Sequence, residues 1–322
     1  QARLVGSEMC IRDSPGIPWG IKAIAFDPTD PDRILFGATG DIYAVDVTRD
    51  PTGKIDGFDG TATIIASAPG IDAGLAFDAG GVMFATTYPS NQLLQILPGS
   101  TAPDKVIELT PLGVAASTGP CLFVPAGFGG AGTLKVASYD VGIFYDLELV
   151  PDGTGTYDVA SVTQTVTTSG GPAGLAYVRG GNPGFANDSV LVTQLWDGAV
   201  RAFDVDANGD PVVATQRDFV VGAGNVYGGA TDRVTGGFLF KRHNFGNQVF
   251  FVHGFAAPAI HCDGAPTSLG CAPSLTWTGS PSVSGPDDFT VTAHDVIPNA
   301  AGLLILSPTP GFTPFGPGTL CF

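Results

Sequence analysis

The segment "DVDANGDPVVAT" sets Asp204, Asp206, Asn208 and Asp210 at alternate positions, with Gly209 sixth. Oxygen side chains alternating in this way, with a glycine at that point, are how the first half of an EF-hand-like loop converges on calcium. The twelfth position should close the shell with a bidentate carboxylate but is Thr215, and the flanks do not read as helix. The competing reading is a tight turn between two strands, because Asn-Gly suits a hairpin. Calcium is therefore a candidate cofactor resting on four oxygens. No other cofactor suggests itself.

"FKRHNFGNQ" places Lys241, Arg242, His243 and Asn244 together. In "FDPTDPDRILF", Asp27, Asp30 and Asp32 read as turn formers, since Asp-Pro pairs bend the chain for conformational reasons alone. A nucleophile and its base are harder to find. His243, His253, His261 and His294 occupy four different contexts, and no GxSxG motif occurs. No catalytic set emerges, which leans the reading away from an enzyme.

The elements that must position these groups repeat. "IKAIAFDPTDPDRILFGATGDIYAVDV" from Ile21 aligns with "DAGLAFDAGGVMFATTYPSNQLLQIL" from Asp72. Further copies begin at Pro120, Pro172 and Val226, so successive starts differ by 51, 48, 52 and 54 residues. Each copy holds an apolar run, a Gly/Pro/Asp turn, a second apolar run, a short polar turn and a third run. The first four add a more polar stretch: "ATIIAS", "KVIELT", "TYDVASVTQTVT" and "VATQRDFVVG". Four strands at a period near fifty mark a propeller blade, whereas a β-sandwich would not recur regularly. The expected fold is all-β: a propeller over 15–257 with five recognisable blades, then a small β-sandwich-like module over 258–322.

In such a blade the turn between strands two and three shares a face with the start of the inner strand. The turns then contribute Tyr88, Asn91, Tyr139, Asp140, Trp196, Asp197, His243 and Asn244, and the inner-strand starts contribute Trp19, Asp72, Asn225 and Tyr227. These twelve are the candidate ligand-binding residues at the mouth of a central channel, where such folds place ligands.

"GLAFDAGGVMFAT" and "GLAYV…SVLVTQLWDGAVRAFDVDANGD" resemble blades of secreted bacterial propellers of the NHL, gluconolactonase and strictosidine-synthase-like group. The likeness covers about residues 16–257. It implies six blades, one of them lost upstream, and hence five blades here in an open or distorted ring. It also offers an alternative function, a calcium-dependent gluconolactonase-like hydrolase. That site would want a glutamate beside asparagines and an aspartate, yet Glu108 and Glu148 fall in peripheral strands. The C-terminal stretch resembles a small β module of secreted proteins from environmental bacteria, through "SLGC", "TGSPS", "FTVTA" and "PFGPGTLCF".

Composition sets the outer limits. The 322 residues carry 30 acidic against 14 basic side chains, a net charge of −16 that argues against nucleic acid and anionic membranes. Glutamate occurs only three times, so the other 27 acids are aspartates, which favour turns over helices. No apolar run is long enough for a membrane span. Cys262 and Cys271 are close enough to close a short loop as a disulfide, which points to an extracellular, cell-surface or periplasmic location. Cys121 opens an apolar strand and should be a buried free thiol. The leading "VGSEMCIRDS" is too interrupted by charge for a secretory signal and resembles a translated sequencing adapter. Residues 1–14 are accordingly expected to add no strand to the repeat array.

Overall fold

The computed structural model describes residues 9–13, 16, 20–242, 248–253, 274–278, 290–294, 312–315 and 318–321. Trp19, His243, Asn244, Cys262 and Cys271 lie outside the described residues. The strands are β1 (Met9–Asp13), then β2 (Ile21–Phe26), β3 (Arg33–Ala38), β4 (Asp41–Arg49) and β5 (Ile55–Ser67). Next come β6 (Ile71–Phe77), β7 (Met83–Thr87), β8 (Gln92–Ile96) and β9 (Lys105–Glu108). The third group is β10 (Thr118–Phe123), β11 (Leu134–Ser138), β12 (Ile143–Pro151) and β13 (Tyr157–Thr167). The fourth is β14 (Pro172–Val178), β15 (Ser189–Gln194), β16 (Ala199–Asp204) and β17 (Arg217–Val220). The fifth comprises β18 (Val226–Thr231), β19 (Phe238–Arg242) and β20 (Gln248–Val252). Beyond them, β21 (Ser274–Thr278) pairs with β22 (Thr290–His294), and β23 (Phe312–Phe315) with β24 (Gly318–Cys321).

Each of the first four groups is a four-stranded antiparallel sheet, the fifth becomes one with β1 added, and each sheet is one blade. Burial follows strand position as the pattern demands. Inner β14, "PAGLAYV", is buried throughout because neighbouring blades cover both of its faces, whereas outer β13 is largely exposed and intermediate. Five hydrophobic clusters fill the five gaps between blades. In the last gap, Ile21, Phe36 and Tyr43 of blade one pack with Leu239, Val249 and Phe251 of blade five. The remaining gaps are filled in the same way. The ring is closed at five blades, which overturns the expectation of an open array from a six-bladed original.

The reason lies in small residues where the inner strands approach one another. A Cβ on Gly174 would come within 2.3 Å of the Gly228 backbone. Gly228 has φ +58, and a Cβ there would meet the Lys22 carbonyl at 2.9 Å. These glycines let β14, β18 and β2 approach backbone to backbone, so the circle closes tightly.

The fourth strand of blade five is also a correction. β1 pairs antiparallel with β20, with Cys10 opposite Phe251 and Asp13 opposite Gln248. Residues 9–13 thus do add a strand to the array. An exposed sheet edge needs partners for its backbone N–H and C=O groups and demands little of side chains, so five residues of mixed polarity suffice.

Candidate functional site

The start of every inner strand is irregular. Register shifts fall between Ile21 and Ala23, Ile71 and Leu75, Thr118 and Cys121, Pro172 and Gly174, and Tyr227 and Ala230. A bulge repeated at one place in all five blades re-aims the side chains around it. The second residues of the five inner strands are Lys22, Asp72, Gly119, Ala173 and Tyr227. Three polar side chains and two small residues therefore stand at equivalent positions around one end of the channel.

Lys22 and Asp72, from adjacent blades, form an ion pair of 2.8 Å in which the aspartate is almost wholly buried. The Lys22 ammonium also lies 5.5 Å from the centroid of the Tyr88 ring. Tyr139 and Tyr227 pack on the same small cluster of Ala73, Ala173 and Leu195. Tyr139 meets Trp196 edge to face at 5.0 Å, and the indole N–H donates to the Tyr139 hydroxyl. Gly171 lies beneath that pair; a Cβ there would sit 3.0 Å from Tyr139 and 3.1 Å from Trp196. Tyr88 and Trp196 are 46 % and 56 % exposed, large for aromatic side chains.

Burial holds the Tyr139 phenol above its usual range, with further upward pushes from Asp140 and Asp72. Tyr227 is raised first by burial and then by Asp72. Both are therefore neutral hydroxyls at ordinary pH. The Asp72 carboxylate lies near enough to both rings to disfavour a second negative charge on either.

Some expected members are placed differently. Asn91 is buried and faces the blade: its amide nitrogen donates to the Thr110 hydroxyl and the Val114 carbonyl, and its oxygen accepts the Thr118 N–H at 2.9 Å. Its task is to pin the start of β10. Asp140 is exposed and accepts from Ser117 at 3.3 Å, Asp197 is exposed at its turn, and Asn225 is half-buried just before β18. Glu108 and Glu148, on β9 and β12, bond Gln92 and Ser161 outside the channel.

The three carboxylates of the calcium reading are drawn to different partners. Asp204 accepts from Arg217 at 2.7 Å and from Asn187 at 2.8 Å. Asp206 accepts the backbone N–H groups of Asn208 and Asp210 within its own turn. Asp210 is buried against Lys135 at 2.9 Å. Among the described residues, no three His, Cys, Asp or Glu side chains form a group that could hold a metal ion. The segment is a turn bridged by Val205 and Pro211, closed by Gly209 at φ +82. Cys121 is a buried free thiol, its pKa pushed up to about 12 by burial.

Lys22 was not among the residues singled out from the sequence. The signal was present: a lysine inside the apolar run "IKAIAF", one place after the start of a repeat and beside the position where the next copy begins with Asp72. Lys241 was noted only as part of a basic turn. It is buried beside Tyr227 in the β18–β19 register, and burial, with repulsion from Arg242, lowers its pKa to about 8.

A second concavity, between blades two and three, is lined by Phe77, Asp78, Phe123, Glu148, Tyr157 and Ser161. Its polar groups already bond one another, Tyr157 to Asp78 and Ser161 to Glu148, each at 2.7 Å. The channel mouth is the better candidate.

No protein-family model and no curated protein matches the chain. Solved structures do resemble it. One is an auxiliary nutrient binding protein from Bacteroides ovatus, 12% identical over 76% of each chain, with a TM-score of 0.45. Another is a glutaminyl cyclase from Myxococcus xanthus, 13% identical over 78% of this chain and 98% of that one, TM-score 0.46. A third is the PQQ-bound aldose sugar dehydrogenase from Streptomyces coelicolor, 15% identical over 75% and 81%, TM-score 0.39. Likeness this remote carries neither a ligand nor a reaction to this chain.

Proposed function

We propose that this is an extracytoplasmic, non-catalytic propeller that binds a small ligand at the channel mouth. The observation that carries the reading is the exposed aromatic rim of Tyr88 and Trp196 standing over a buried Asp72 paired with Lys22. Large aromatic faces left open to water around a few convergent polar groups are characteristic of ligand sites. The strongly acidic surface supports a location outside the cytoplasm and argues against nucleic acid as a partner. Among the described residues no helix is long and apolar enough to cross a membrane.

The test is a fluorescence titration of the full chain with neutral oligosaccharides, amino acids and alkylammonium salts, repeated on Trp196→Ala. Saturable binding that the variant loses supports the reading. Lactone hydrolysis that needs calcium and disappears in Asp72→Asn would replace it with the hydrolase alternative.

A further inference from the structure

We infer that the channel mouth is a site for substituted ammonium ions and that Lys22 is its built-in occupant, an inference that rests on the mouth being a ligand site. The Lys22 ammonium sits between the Asp72 carboxylate at 2.8 Å and the Tyr88 ring face at 5.5 Å. A carboxylate on one side and an electron-rich ring on another are the means by which proteins hold alkylated ammonium ions. Trp196, the most favourable cation face among side chains, stands next to Tyr139 on the rim. Asp140 and Asp197 add exposed negative charge at the same end.

Among the described residues, the two other cations near that face also reach backbone carbonyls. The Lys241 ammonium donates to the Arg242 carbonyl, and the Arg242 Nε donates to the Ala223 carbonyl at 2.8 Å. Lys22 is the cation that meets the aromatic rim, and its side chain keeps 30% exposure on a flexible stem. It can therefore swing outward and yield its place. The exchange replaces one ammonium–carboxylate contact with another and adds the aromatic contacts of a bulkier, less hydrated cation. A neutral sugar would stack on the same rings but would leave the ion pair intact. Lys22 thus separates the two ligand classes.

The experiment titrates wild type, Lys22→Ala, Tyr88→Leu, Trp196→Ala and the double variant Lys22→Ala/Asp72→Asn with tetramethylammonium, choline and cellobiose. Binding is read by calorimetry, and thermal melts establish folding. The double variant removes both charges, so neither is left buried alone. Lys22→Ala should bind both ammonium ions about tenfold more tightly than wild type, because a built-in competitor for the Asp72 carboxylate is gone. Tyr88→Leu should weaken them roughly threefold to tenfold, and the double variant should lose most of the gain. A trimethyl-lysine peptide in parallel distinguishes a polypeptide source of the ammonium from a free solute; tight binding of either supports the proposal. Equal choline affinity in wild type, Lys22→Ala and the double variant would overturn it. If cellobiose binds in a Trp196-dependent way and choline does not bind, the inference falls while the mouth remains a ligand site. If none of the probes binds, both readings fall.

Discussion

The two ends of the ring spend their polar groups differently. At the end opposite the mouth, where strand one meets strand two and strand three meets strand four, aspartates close the turns. Asp27, Asp50, Asp78, Asp152 and Asp206 each accept the N–H two residues on, at 2.8–2.9 Å. Ion pairs then cross from blade to blade: Arg49 to Asp232 between blades one and five, Lys105 to Asp152 between two and three, Lys135 to Asp210 between three and four. At the mouth one ion pair, Lys22 to Asp72, crosses blades, and the aromatic side chains of Tyr88 and Trp196 stand exposed around it. Three cross-blade ion pairs and the aspartate-closed turns lock one end, while the other leaves its aromatic faces uncovered. The comparison teaches that stability and recognition are separated along the channel axis, so variants at the two ends should affect different measurements.

The largest effect should come from Asp232→Ala. Asp232 is 1% exposed and takes both terminal nitrogens of Arg49, at 2.8 and 3.0 Å, across the closing seam. It also caps its own turn through the Val234 N–H at 3.0 Å. Removing it costs two charge-assisted hydrogen bonds and a turn acceptor, a loss of about 3–4 kcal/mol even though Arg49 keeps its contact with Asp32. Denaturant unfolding measures it. A loss below about 1 kcal/mol, the range of a surface pair, would mean that the seam is held by the apolar cluster alone.

Lys135→Met should follow closely. Lys135 is 1% exposed and sits between Asp146 at 2.5 Å and Asp210 at 2.9 Å. Burial already holds the Asp146 carboxyl above its usual range despite the lysine contact. Without the ammonium, two carboxylates remain in the same low-dielectric pocket, and the expected loss is about 2–4 kcal/mol. Ligand binding at the mouth should be untouched. A variant that binds poorly while melting normally would break the division between the ends.

The sequence conveyed the blades well because their signal is repeated. A spacing near fifty and apolar inner runs recur five times, and the aspartate excess corresponds to turns that use carboxylates as N–H acceptors. Blade number was harder to read. It depends on how closely inner strands approach, and that is set by single residues such as Gly174 and Gly228 and not by any periodicity. β1 was missed because a short edge strand needs backbone partners more than a pattern. Tyr139, Trp196, Tyr227 and Asp72 gather at one end of the channel, as their place in the repeat suggested. Asn91, equally well placed, turns inward to bond Val114 and Thr118. Position in a repeat predicts which face a residue occupies, while the direction of its side chain depends on the partners it finds there.

Acid should weaken the locked end first. The Asp152 carboxyl is held well below its usual range, chiefly by its bond to Lys105 and then by Thr156 and Thr154. A carboxylate depressed in this way contributes stability that is complete above its unfolded pKa, near 4. That contribution fades as pH falls toward the folded value. Melting temperature should therefore decline below about pH 4, and Lys105→Met should flatten that acid limb. An unchanged limb in the variant would show that Asp152 is stabilised by its turn hydroxyls and not across the gap.

The smallest stability effect should belong to Trp196→Ala, and it is the sharpest check on the division between the ends. The indole is 56% exposed; it meets the edge of Tyr139, donates one hydrogen bond to that hydroxyl and lies over Gly171. Truncation uncovers part of Tyr139 but leaves no group buried without a partner, because the tyrosine hydroxyl is within reach of water. The expected change is within about 1 kcal/mol, close to ordinary surface substitutions. Binding of whatever the mouth takes should fall by a larger factor than stability does, since an aromatic face in a ligand site commonly contributes more there than on an open surface. The two measurements must be made on the same preparation. A destabilisation above about 2 kcal/mol would place Trp196 among core aromatics and make the rim structural. Unchanged stability with a large loss of binding would assign Trp196 to recognition, as the open rim requires.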